Sequence, residues 1–114
     1  MRLEEIINQL ECTVRAGGKA VENEVLGGYV SDMLSDVIAN SLKGDIWITL
    51  QIHQNIIAVA ALKEMAGIVI IGGKEPQEAT IEKAEAEQVP LLTSPLSAFD
   101  AAGRLYELGV RSQV

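Results

Sequence analysis

Apolar positions recur along this chain in two periods that take turns. In "LEEIINQLE", Leu3, Ile6, Ile7 and Leu10 share one helical face, which predicts a short amphipathic helix. "CTVRAGG" and "NEVLGGYV" read as strands separated by a polar connection around Lys19 to Glu22. Gly27 and Gly28 inside the second strand predict a bulge or a close backbone approach. "SDMLSDVIANSL" then returns to helical spacing, with Met33, Leu34, Val37 and Ile38 expected to face inward. Gly44 lies just past its end.

Beyond that glycine the alternation is regular. "DIWITL" is a strand, "NIIAVAALKEMA" a helix, "GIVII" a strand and "PQEATIEKAEAEQ" a helix. "VPLLT" and "PLSAFDAAGRLYELG" complete the series as a strand and a closing helix. Strands alternating with helices predict parallel pairing through right-handed crossovers. "GIVII" is apolar without alternation, so it belongs at the sheet centre with both faces covered. The expected fold is a single α/β domain over residues 1–114, a mainly parallel mixed sheet with helices packed on it. The terminal "RSQV" is polar and expected to fray.

"NIIAVAALKEMA" has almost no polar face. Either the N-terminal elements of the same chain bury it, or it forms a subunit contact. A homodimer through this helix or the sheet edge near it is the expectation, because two-fold pairing is the commonest way to cover such a surface.

Composition narrows the function classes. Apolar residues make up 48% of the 114 residues and aromatics only 4%, so the core rests on Ile, Leu, Val and Ala. The formal net charge is −7 and no basic block occurs, which argues against nucleic acid and against an anionic membrane surface. The acidic N-terminus does not read as a signal peptide, and no apolar run approaches a membrane span of roughly 18 residues. Cys12 and His53 are each the only residue of their type, which excludes an intrachain disulfide and gives no zinc-ligand spacing. A reduced, cytoplasmic protein without metal or cofactor is the plain reading.

"GIVIIGGKEP" tests for a phosphate loop. A Walker-type loop places Ser or Thr directly after the lysine, to hold magnesium. Here Glu75 and Pro76 follow Lys74, and the G-x-G-x-x-G spacing is absent. Pro76 suits a first helical position, which would put Glu75 at the cap and Glu78 in the first turn. Both carboxylates would already complement the positive helix end. The stretch reads mainly as a turn.

A broader candidate is the edge where the strands end, since open parallel sheets bind ligands there. Ser31 and Asp32 follow "LGGYV"; Gln51, His53 and Asn55 follow "WITL". Gly72 and Gly73 follow "GIVII", and Thr93 and Ser94 end "VPLL". Each has a structural alternative. Ser94 before Pro95 suits an N-cap, Asn55 or Gln54 could cap the next helix, and Asp32 could complement a helix start. A lone loop histidine is more often structural than catalytic. The shared position of these residues marks the cluster as a candidate ligand site. His53 with Asp32 could do acid–base work, but no nucleophile accompanies them.

"GGYVSDMLSDVIANSLKGDIWIT", "NIIAVAALKEMAGIVIIGGKEP" and "VPLLTSPLSAF" together resemble a DRTGG domain, and also the N-terminal domain of bacterial HPr kinase/phosphorylase. The resemblance runs from about Leu3 to Gly109. Of the name motif, Gly72 and Gly73 are retained, whereas Ile52 and His53 stand where Asp-Arg is expected and Ile71 replaces the Thr. The resemblance implies a fold like that HPr kinase domain and a regulatory role, with chemistry residing in other domains. The expected function is a non-catalytic regulatory or ligand-sensing module, homo-oligomeric, taking a small anionic metabolite or nucleotide. The alternative is a small phosphate- or nucleotide-handling enzyme working at the same strand-end edge.

Overall fold

The computed structural model describes residues 1–114. The N-terminal amphipathic stretch forms α1 (Leu3–Gln9), and its acidic start closes its own first turn: Glu5 accepts the Arg2 N–H at 2.7 Å. The two early strands are short, β1 (Thr13–Ala16) and β2 (Gly27–Val30), joined through a single 3₁₀ turn at Gly18–Ala20. Then come α2 (Leu34–Asn40), β3 (Asp45–Thr49), α3 (Asn55–Leu62) and β4 (Gly67–Ile70). The chain closes with α4 (Glu78–Glu87), β5 (Leu91–Thr93) and α5 (Ala98–Glu107).

The five strands lie in the order β1-β5-β4-β3-β2. β2, β3, β4 and β5 are mutually parallel, and β1 returns antiparallel against β5. The expected mainly parallel mixed sheet is therefore present. β3 and β4 are buried along their whole length, as unalternated apolar strands must be when both faces are covered.

Two cores result, one on each face. Trp47, Ile68, Ile70 and Leu91 meet α2, α3 and α4 through Val37, Ile56, Ile57 and Ala84. Ile46, Ile48, Val69 and Leu92 meet α1 and α5 through Leu3, Ile6, Ala101 and Leu105. Each fully buried Val, Leu or Ile among them contributes about 1.5–3 kcal/mol relative to exposure.

Several expectations need correction. In α2 only Val37 is fully buried, while Met33 (65% exposed) precedes the helix and Ile38 faces outward. A seven-residue helix near the sheet edge touches the core along a narrow stripe. α3 is covered by α2 and α4 on the same face, not by N-terminal elements. Its outward surface reduces to Asn55, Ala58, Ala61 and Leu62. α4 begins two residues later than Pro76 predicts, with Gln77 at the cap, and Pro76 is buried ahead of it.

The C-terminal tail is also tied down. Gln113 donates to Asp45 Oδ1 at 2.8 Å and to the Lys43 carbonyl at 3.0 Å, and Asp45 is buried. This explains Gly27: a Cβ there would lie 2.5 Å from Gln113 Cγ and 2.9 Å from the Arg111 carbonyl oxygen. The close approach predicted for the glycine pair in β2 is an approach of the tail.

Candidate functional site

Parallel pairing brings the C-terminal ends of β2, β3, β4 and β5 to one side of the sheet. The antiparallel return of β1 brings its first residue to that side too, so Thr13 stands directly opposite Thr93. The polar residues that follow these strands fall into three groups.

At the β2–β3 end the groups satisfy one another. Asp32 Oδ1 accepts from Thr49 Oγ1 at 2.9 Å and from the Leu50 N–H at 2.7 Å. Gln51 Nε2 donates to the Asp32 carbonyl at 2.8 Å. Ser31 accepts the Met33 N–H with its hydroxyl and the Trp47 indole N–H with its carbonyl. The space between them is about 40 Å³. That leaves little more than room for a water. Asp32 thus complements no helix; it ties the ends of β2 and β3 together.

The middle of the edge is occupied by packing. The Ile52 carbonyl accepts from Thr80 Oγ1 at 2.7 Å and from the Gln77 N–H, which seats the β3–α3 loop on the start of α4. His53 Nδ1 accepts the Asn55 N–H at 3.1 Å, so the imidazole supplies the cap that neither Gln54 nor Asn55 provides. His53 and Asn55 are exposed and line neither strand-end cavity.

Gly72 and Gly73 both have positive φ, 72° and 69°. Their N–H groups donate to the Leu96 and Ser94 carbonyls at 2.7 and 3.1 Å. A phosphate cradle needs those N–H groups free, and here they fasten β4 to the β5–α5 connection. Ser94, 2% exposed, is equally committed: its hydroxyl donates to the Leu10 carbonyl at 2.6 Å and accepts the Leu96 N–H. Ser97, not Ser94, caps α5, accepting the Asp100 N–H at 3.1 Å.

The β5–β1 end is different. A groove of about 170 Å³ lies between Thr13, Thr93, Gly73, Lys74 and Glu75, and Pro95 is the one apolar residue that lines it. The Thr13 and Thr93 hydroxyls have no hydrogen-bond partner in the chain. Lys74 has no carboxylate within 4.0 Å, while Arg15 pairs with Glu75 at 2.6 Å. One net positive charge and two free hydroxyls therefore face a polar groove in an acidic protein. Such a set can hold a small anion by charge-assisted hydrogen bonds. Of the residues expected at the strand-end site, Gly73, Thr93 and Ser94 line this groove, and Ser31 and Asp32 line the other cavity.

Thr13 and Lys74 are groove residues that sequence reasoning missed. The antiparallel return of β1 places Thr13 there, and no local pattern announces it. Lys74 carried a signal, the strand–Gly-Gly–Lys run, which was tied to a phosphate loop rather than to a groove beside it.

No nucleophile and base come together. Burial pushes the Cys12 thiol up to about 12, which keeps it protonated and unreactive. No group of three or more His, Cys, Asp or Glu side chains is placed to hold a metal ion. No helix is long and apolar enough to cross a membrane.

A three-layer α/β domain with a polar groove at its strand ends is an architecture for binding. Residues 5–108 match the model of the DRTGG domain, and the chain belongs to that family. Among solved structures it is similar to the CBS and DRTGG domains of the regulatory region of Clostridium perfringens pyrophosphatase, complexed with the activator diadenosine tetraphosphate. The TM-score is 0.73 at 19% sequence identity, over 91% of this chain and 45% of that one. The chain thus spans less than half of that structure, and at this identity the likeness is one of fold. No curated protein matches the chain. In the name motif, Ile52 and Ile71 occupy positions that pack against the two cores, and Ile71 is 2% exposed.

Proposed function

We propose that this DRTGG domain is a non-catalytic, ligand-sensing regulatory module that works in the cytoplasm as a homodimer. Its ligand is a small anionic metabolite or a nucleotide phosphate, held in the groove between Thr13, Lys74 and Thr93. The observation that carries this reading is the unpartnered state of those three side chains, at the edge where parallel sheets bind ligands. Family membership supports it, and so does the regulatory setting of the similar pyrophosphatase domains, whose complex holds a nucleotide activator. The enzymatic alternative is disfavoured because the Ser94 hydroxyl, the His53 Nδ1 and the glycine N–H groups are all engaged in structure.

A thermal-shift screen of nucleotides and phosphorylated metabolites tests the site. A stabilising ligand is expected, with the shift lost in Lys74→Ala and in Thr93→Val. Equal stabilisation of both variants would remove the groove from the account. Sedimentation equilibrium tests the dimer, for which Leu62 of α3 and Val30 of the β2 edge are among the exposed apolar side chains. A monomer at micromolar concentration would reject it.

A further inference from the structure

On the opposite face from α4, a second cleft lies between β2, β3 and α5, roofed by the C-terminal tail. Its volume is about 130 Å³, and its walls are mainly apolar: Val30 and Ile48 from the sheet, Ala102 and Leu105 from α5, Val110 from the tail. We propose that this cleft is a binding site for a small apolar carboxylate, its ring or branched chain between Gly28 and Ala102 and its carboxylate on Arg111.

Three observations meet there. The first concerns Gly28. A Cβ at that position would meet Val110 Cγ1 at 3.6 Å and Ile46 Cγ2 at 3.7 Å, which is ordinary contact. Packing therefore demands glycine at Gly27 and makes no such demand at Gly28. The missing side chain is what leaves the floor of the cleft open.

The second is Arg111. The chain has four arginines, and Arg2, Arg15 and Arg104 each have a carboxylate within 4.0 Å; Arg111 has none. Its guanidinium lies 3.6 Å over the Tyr106 ring centroid, and Nη1 donates to the Tyr106 and Val110 carbonyls. Nε and Nη2 make no hydrogen bond to the protein. A guanidinium fixed by stacking with donors to spare is preorganised for a carboxylate. In a protein of net charge −7, such a local cation is what recognition of an anion requires.

The third is size. A dry apolar cavity of roughly 150 Å³ accepts a benzene ring. A cleft of about 130 Å³ with apolar walls thus fits one small ring or branched chain, and offers a bare inorganic anion only the Arg111 guanidinium. The roof is held in place from below, by Gln113 on the buried Asp45.

The test is an amide-resolved NMR titration of the full chain with benzoate, and with benzamide and inorganic phosphate as separate arms. Saturable shifts at Gly28, Ala102, Arg111 and Ser112 are expected for benzoate. Benzamide should bind about tenfold more weakly and phosphate should not perturb Gly28 or Ala102. Arg111→Gln should weaken benzoate about tenfold and leave benzamide unchanged, and Ala102→Leu, which fills the cleft, should abolish both. Should Ala102→Leu fail to fold, Gly28→Val plugs the same space from the sheet. Shifts confined to Arg111 and matched by phosphate would overturn the proposal as surface charge pairing. So would shifts at Thr13, Lys74 and Thr93, or benzoate binding that survives the filled cleft.

Discussion

The two ends of the strand edge carry similar residues and do opposite things. At the β2–β3 end, Asp32, Thr49 and Gln51 answer one another's hydrogen-bonding needs, Ser31 is spent on Met33 and Trp47, and almost no space is left. At the β5–β1 end, Thr13, Lys74 and Thr93 answer to nothing in the chain and surround a groove. Polarity at the mouth of a parallel sheet is thus no measure of a binding site. What separates a fastening from a site is whether donors and acceptors are already spent.

That contrast can be broken by substitution. The largest effect is expected for Asp32→Ala, which removes two charge-assisted bonds and leaves the buried Thr49 hydroxyl short of a partner. Urea unfolding should show a loss of about 3 kcal/mol. Unchanged stability would mean that the β2–β3 end is no fastening at all. Ser94→Ala should cost about 2 kcal/mol, because the Leu10 carbonyl and the Leu96 N–H both lose a partner in a buried place. Ligand affinity of the folded variant should be nearly unchanged.

At the other end the pattern should invert. Lys74→Ala is expected to leave the unfolding midpoint where it is and to weaken an anionic ligand about tenfold, or about 1.4 kcal/mol, by calorimetry. The smallest effect on stability belongs to the double variant Thr13→Val, Thr93→Val. Two β-branched residues replace two others of the same shape at a cross-strand pair whose hydroxyls bond nothing, so the change should stay within about 0.5 kcal/mol. A larger loss would show that those hydroxyls are structural and that the two ends are alike.

Much of the fold was legible because it rests on local periodicity. The unalternated "GIVII" could only be an interior strand, and it lies buried in the sheet between β3 and β5. The strand-end edge was legible for the same reason, since parallel order follows from alternation. The division of that edge was not. Whether Asp32 is spent depends on Thr49 and Leu50 across the β2–β3 pair, and whether Ser94 is spent depends on the Leu10 carbonyl. These are contacts between distant segments, and a residue's type carries no trace of them. The tail failed for a related reason: "RSQV" looks solvated until the buried Asp45 is seen to need Gln113. Helix starts slipped where the first turn is decided by tertiary bonds, as at Gln77, whose N–H goes to Ile52.

The antiparallel strand at the sheet's margin also sets a clock. β1 pairs with β5 alone, and Thr13 meets Thr93. During synthesis, at about 5–20 residues per second, several seconds separate the appearance of those partners. Through that interval the first strand has no neighbour, and Leu10 waits for Ser94. The parallel strands can assemble in the order in which they emerge, yet the sheet stays open at one margin until the last of them is made. Completion of the sheet is therefore tied to its last-made strand, and a ribosome that stalls before Leu91 leaves an N-terminal strand without its native partner.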